Sequence, residues 1–107
     1  MYCVVLVTAK DKKEATMIAT GILEEKLAAC VNIVDNLYSL FWWEGKIDDA
    51  QEALLVIKTK EELFELLVQR IKFLHSYQVP EIIALPIIKG EAEYLNWIKS
   101  VVGKGEK

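Results

Sequence analysis

The sequence predicts an α+β fold in which four strands and three helices follow one another as β-α-β-β-α-β-α. Three observations carry that prediction. Apolar, β-branched runs open the chain and recur at its centre, the pattern of buried strands. Two stretches with apolar residues at helical spacing each follow a capping-box sequence, Asp11-Lys12-Lys13-Glu14 and Thr59-Lys60-Glu61-Glu62. Between them, Leu37 to Lys58 reads as one long β-hairpin turning at Glu44-Gly45, where glycine accepts the positive φ of a tight turn.

Each element can be justified in order. Tyr2 to Val7 is the first strand, buried and β-branched. After the first capping box, Ala15, Ile18, Ala19, Ile22, Leu23 and Leu27 line one face of a helix predicted from Lys12 to Ala28. Gly21 within it costs about 1 kcal/mol against Ala and is expected to let the helix approach the sheet closely. Cys30 to Val34 begins the second strand, and Asp35-Asn36 breaks its alternation, which predicts a bulge. Beyond the bulge Tyr38, Leu40 and Trp42 share one face, and Leu37, Phe41 and Trp43 the other. The returning run Ala53 to Ile57 is apolar on both faces and so needs cover on both. The chain's own helices cover one face, so the other is expected to meet a second chain. Leu63, Leu67, Ile71 and Leu74, with Phe64 and Val68 beside them, form the second helix. His75 to Glu81 is a loop, because the residue before Pro80 is pushed out of the helical region. Ile82 to Ile88 is the last strand, and Pro86 places it at an edge or on a bulge. Glu91 to Val102 closes the chain as a short helix, Gly103 suits the position after its end, and Lys104 to Lys107 are expected to fray.

Two right-handed βαβ crossovers joined by a hairpin make a ferredoxin-like split-βαβ plait with a long hairpin between its second and third strands and a C-terminal helix. Both main helices then lie on one face of the sheet. The other face is left bare for a partner subunit.

Composition narrows the function. The 107 residues suit one domain, residues 1–107, with a single core. The hydrophobic share of 53% is high for so short a chain and agrees with a partly covered exterior. Arg70 is the only arginine and the net charge is −3, which argues against nucleic acid as the partner. No apolar run approaches the ~18 residues of a membrane span. The opening MYCVVLVTAK lacks the basic lead and cleavage site of a secretion signal, so a cytoplasmic protein is expected. Cys3 and Cys30 are isolated in apolar strands and read as free thiols.

Several chemistries are missing their residues. Soft-metal transfer would want Cys-x-x-Cys in the first loop, which here is Thr8-Ala9-Lys10-Asp11. RNA readout would want aromatics on the central strands in a basic surround. No phosphate loop, Ser/His/Asp set or closely spaced Cys/His pair occurs. What remains is a polar cluster in the loop, His75, Tyr77, Gln78 and Glu81, together with Lys58 at the end of the hairpin. Each has a plain alternative. His75 suits a helix C-terminus, Tyr77 and Gln78 suit loop packing, and Glu81 suits a solvated strand start or an acceptor for Lys58. Trp42 and Trp43 suit an interface core or the lid of a small-molecule cleft.

These features occur together in one family. Leu27-Ala28-Ala29-Cys30-Val31-Asn32, Trp43-Glu44-Gly45-Lys46, Ile57-Lys58-Thr59, Tyr77-Gln78-x-Pro80-Glu81 and Tyr94-Leu95-x-Trp97 stand in the right order. Through them the chain resembles the CutA-type divalent-cation tolerance proteins from about Val4 to Ile98. The resemblance implies a PII-like homotrimer built by the long strands, a cytosolic or organellar setting, and a role in divalent-metal (copper) tolerance. It supplies no enzymatic activity. Members that resemble copper binders carry a first-strand cysteine and paired histidines before the Tyr-Gln loop. Val7 and Leu74 stand there instead, and His75 is the lone histidine.

The expected protein is therefore a non-enzymatic trimer acting in metal response, signalling or ligand binding, with no required cofactor. A ligand cleft between subunits is expected near Trp43, Lys58, Tyr77 and Glu81. Weak binding of a divalent metal or copper is expected at His75 with Glu81. Two rivals stand beside it: an enzyme on a small anion, with Lys58 as charge partner and Glu81 as base, and a trimeric scaffold for another protein.

Overall fold

The computed structural model describes residues 1–103, so the expected fraying of Lys104 to Lys107 lies outside the described residues. The elements are β1 (Tyr2–Ala9), α1 (Lys12–Glu24), β2 (Cys30–Trp43), β3 (Lys46–Lys60), a 3-10 turn (Glu61–Leu63), α2 (Phe64–Leu74), β4 (Ile82–Pro86) and α3 (Ala92–Val101). All neighbouring strands are antiparallel, in the order β2-β3-β1-β4. The α+β plait read from the sequence is the fold observed.

Alternation places Cys3, Val5, Val7 and Ala9 of β1 beside Ala53, Leu55 and Ile57 of β3 on one face. Ala15, Ile18, Ala19 and Ile22 of α1 and Leu67 and Ile71 of α2 pack onto them to form the main core. Burying a side chain such as Ile18 or Leu55 contributes about 1.5–3 kcal/mol, so this layer supplies most of the favourable energy.

α1 stops at Glu24, short of the expected Ala28. Lys26 turns into the left-handed region at φ 59, its N–H donates to the Leu23 carbonyl, and the Leu27 N–H donates to the Ile22 carbonyl. That is a Schellman closure. The apolar stripe continues through Leu27 because the residue after such a closure packs back on the helix, so periodicity outruns the helix itself.

The second capping box does not form. Thr59 remains in β3, fully buried, and its hydroxyl donates to the Leu27 carbonyl at 2.7 Å. The 3-10 turn and α2 both begin without a side-chain cap. Gly21 also differs from expectation: a Cβ there would lie 2.9 Å from Leu74 Cδ1, so the close neighbour is α2 rather than the sheet.

The hairpin turns through Glu44 and Gly45 at φ 51 and 81, and the β2–β3 register shifts between Val34 and Leu37, the predicted bulge. β1 stops at the Ala9–Ala53 pair, whereas β2 and β3 stay paired to Trp43–Lys46. The hairpin therefore overshoots the sheet as a two-stranded arm and accounts for the 45 Å long axis. β4 is an edge strand ending at Pro86, not Ile88; Pro86 pairs with Cys3 near the start of β1, and the Ile87 N–H makes one last bond to the Tyr2 carbonyl at 3.0 Å. The second sheet face is not wholly bare. α3 contacts β3, and Ile98 is fully buried outside the main core, so α3 covers one end of that face. Val34, Ile83 and Leu85 stay exposed on the rest.

Candidate functional site

The arm and the loop following α2 enclose a cleft of about 920 Å³. Strand alternation beyond the bulge puts Ser39, Phe41 and Trp43 of β2 on the same face as Asp48, Ala50 and Glu52 of β3, and these six form one wall. Tyr77, Gln78, Val79 and Glu81 form the opposite wall. Thr8 closes the inner end, and Leu40 and Asp49 reach it from the far side of the arm. Four of the lining side chains are carboxylates and none is basic. Lys46, paired with Trp43 at the tip, is not among them.

One hydrogen bond ties the walls together. The Tyr77 hydroxyl donates to Glu52 Oε2 at 2.8 Å. Burial, the hydrogen bond to Glu52 and its negative charge push the Tyr77 phenol well above the ordinary tyrosine range, so it remains a donor. On the arm's other face, the Tyr38 hydroxyl holds Asp49 in the same way at 2.8 Å.

The loop is fixed from below. Glu14, at the third position of α1, is buried and accepts from Lys10 N–H at 2.9 Å and from Ser76 N–H at 2.8 Å. Burial alone would raise its pKa, but these hydrogen bonds outweigh burial and hold the carboxyl below its ordinary value. The Asp11 carboxylate caps α1 through the Glu14 N–H at 2.8 Å, so half of the capping box forms as expected while Glu14 itself turns to the loop.

His75 points inward. Its Nδ1 accepts from the Tyr77 N–H at 3.1 Å, and its Nε2 lies 2.7 Å from the Thr8 carbonyl oxygen. A carbonyl only accepts, so this pattern puts the ring proton on Nε2 and leaves no free lone pair. A metal ion at His75 would have to displace one of these bonds. Among the described residues, no three His, Cys, Asp or Glu side chains converge on a point where an ion could sit.

The structure thus brings Trp43, Tyr77 and Glu81 to one cleft, with His75 buried behind it. It does not bring Lys58. That residue pairs with Cys30 and Val4, its ammonium meets the Asn32 side chain, and the Cys30 sulfur lies 4.0 Å away. At ~3.3 Å per residue it is about 20 Å along β3 from Glu52. Within one chain Lys58 therefore lies apart from Trp43, Tyr77 and Glu81.

Sequence reading missed Glu14, Glu52 and Asp48. Glu14 carried a signal as the third residue of the capping box, but nothing local showed that it would reach Ser76. Glu52 stands just before the apolar run of β3, an acidic residue where the strand begins to alternate buried and half-buried positions. No helix among the described residues is long and apolar enough to cross a membrane.

A family model described as CutA1 divalent ion tolerance protein matches residues 3–101. The chain is 48% identical over 100 residues to a divalent-cation tolerance protein CutA of Thermus thermophilus, covering 94% of this chain and 97% of that one. It is 50% identical over 97 residues to a chloroplastic protein CutA 1 of Oryza sativa subsp. japonica, covering 91% of this chain. It spans 55% of that rice protein, about half its length. The solved structure of the Thermus thermophilus divalent cation tolerance protein superposes with a TM-score of 0.94 at 48% identity, covering 96% of this chain and 100% of that one.

Proposed function

The chain belongs to the CutA1 divalent ion tolerance family, and from that premise we propose that it acts as a non-enzymatic homotrimer that responds to cations through the cleft beside its arm. The observation that carries this reading is the arm's exposure. On the arm face away from the cleft Tyr38, Leu40 and Trp42 are 62%, 65% and 73% exposed and Ile47 beside them is equally bare, while Trp43 on the cleft face is 60% exposed. A contiguous apolar surface of this kind marks an interface. At ~25 cal/mol per Å², burying a tryptophan ring of 150–250 Å² against another subunit contributes about 4–6 kcal/mol, which favours association over display.

The cleft's charge supports a cationic rather than an anionic ligand. Asp48, Asp49, Glu52 and Glu81 line it without a lysine or arginine. That weighs against an enzyme working on a small anion, whose charge partner was to be Lys58. Metal contact in this reading is weak and runs through Glu81 and the carboxylates near it, with His75 acting as a structural residue. Thermal-shift measurements across a panel of divalent metals test this response, with a rise in melting temperature expected only at millimolar metal. A large rise at micromolar copper would refute it in favour of a preformed site.

A further inference from the structure

We propose that His75 is a proton-sensitive latch: its neutral ring holds the loop after α2 against the body of the fold, and a proton arriving at Nδ1 releases that loop. The contacts involved are buried within one chain, so the latch stands whether or not the cleft takes a ligand and whatever covers the arm. The His75 side chain is fully buried and both ring nitrogens are committed. Nε2 donates to the Thr8 carbonyl at 2.7 Å, which fixes the ring to β1. Nδ1 accepts from the Tyr77 N–H at 3.1 Å, which fixes the loop to the ring. Glu14 Oε2 lies 3.9 Å from Nδ1, beyond hydrogen-bond distance, and accepts instead from the Ser76 N–H at 2.8 Å. Two consecutive loop amides thus hang on two acceptors that face each other.

Protonation sets these acceptors in conflict. Nδ1 becomes a donor, and the Tyr77 N–H then points at another N–H. The imidazolium draws on the nearest anion, which is the Glu14 oxygen already holding Ser76. Burial raises the Glu14 pKa, but the hydrogen bonds from Lys10 and Ser76 outweigh it and hold the carboxyl below its ordinary value, so the anion persists as pH falls. The other charged and titratable groups around the ring do not replace it. Lys10 and Asp11 are exposed at the start of α1, where the Asp11 carboxylate caps the Glu14 N–H. Lys72 in the last turn of α2 is exposed as well. Tyr77 packs against the imidazole with ring centroids 4.6 Å apart, and its hydroxyl is bonded to Glu52 of β3. From β1 the contact is the uncharged Thr8 carbonyl. Because Tyr77 carries both the amide bond to His75 and the hydroxyl bond to Glu52, moving its backbone draws the loop away from the arm.

His75 is the only histidine, so its ring signals are unambiguous. NMR of the isotope-labelled full-length protein, titrated from mildly alkaline pH to the onset of acid unfolding, follows ring protonation and amide hydrogen exchange together. The neutral ring should carry its proton on Nε2. As the ring protonates, exchange of the Ser76 and Tyr77 amides, corrected for its intrinsic pH dependence, should rise roughly tenfold, the effect of losing about one net hydrogen bond, while the amides of β1 and β3 stay protected. His75→Gln has no titrating ring and keeps Glu14, so its loop should show no such step. A step in His75→Gln equal to that of the unsubstituted protein would assign the release to a carboxylate and overturn the proposal. So would a ring that stays neutral until the protein unfolds, or one that protonates while both amides keep their protection. Those two outcomes are read from the unsubstituted protein and decide the question even if His75→Gln fails to fold.

Discussion

The carboxylate of Glu14, in the first turn of α1, accepts a hydrogen bond from the backbone N–H of Ser76 at 2.8 Å across 62 residues of sequence. Its second oxygen accepts from Lys10. One buried side chain thus joins the start of α1 to the loop that forms a wall of the cleft. Glu14→Ala should cost roughly 2–4 kcal/mol in urea unfolding, since two backbone donors lose a charged acceptor.

The same contact sets a pH dependence. Glu14 has its folded-state pKa depressed, so its contribution is fully present above the ordinary carboxylate value near 4.5 and is lost as pH falls through the folded value. Urea midpoints measured from neutral pH down through that range should fall. In Glu14→Ala part of that slope should disappear. Identical pH profiles for the two proteins would show that other carboxylates govern acid unfolding.

Tyr77→Phe removes the donor that orients Glu52 across the cleft. A partly desolvated carboxylate then loses its hydrogen bond, at a cost of about 1–3 kcal/mol. Tyr77 has its phenol pKa raised, so its contribution is present below the usual tyrosine value and is lost as pH rises through the folded one. The Tyr38 and Tyr94 phenols are also raised, so phenolate absorbance should lose its last-ionising component, not every late one, in Tyr77→Phe.

Gly45 takes φ 81 at the hairpin tip, and a Cβ there would meet no atom within 4 Å. Within its own chain Gly45→Ala therefore tests the backbone alone. A loss of about 1 kcal/mol is expected, with the oligomeric state unchanged. A loss of several kcal/mol would mean that the tip packs against something in solution.

Much of this architecture was legible because it is written in local chemistry. Gly45 marks the turn, Asp35-Asn36 the bulge, Pro86 the edge strand and Asp11 the cap of α1. What was not legible depends on partners far away in sequence. The end of α1 was hidden because Lys26, not glycine, takes the left-handed position. Thr59 looked like a cap because nothing nearby reveals its bond to the Leu27 carbonyl. His75 looked like a ligand because the Thr8 carbonyl that occupies its ring lies 67 residues away. Of the residues expected near a cleft between subunits, Trp43, Tyr77 and Glu81 line one cleft of the single chain. Glu52 went unread, and within one chain Lys58 stands apart from them, because strand length separates it from the arm.

Trp43 is the side chain through which arm and cleft meet. If the exposed arm is a subunit contact, Trp43→Ala should lower stability by about 3–5 kcal/mol, the range for tryptophan truncation in cores. An unchanged melting temperature would place this ring in solvent in the assembled protein.

The central claim is that the arm's exposed apolar surface is covered by other copies of the chain. Sedimentation equilibrium of the full-length protein at micromolar concentration tests it most directly. The account predicts a single species of three times the chain mass that persists on dilution until the protein unfolds. A folded species of single-chain mass at those concentrations would contradict it.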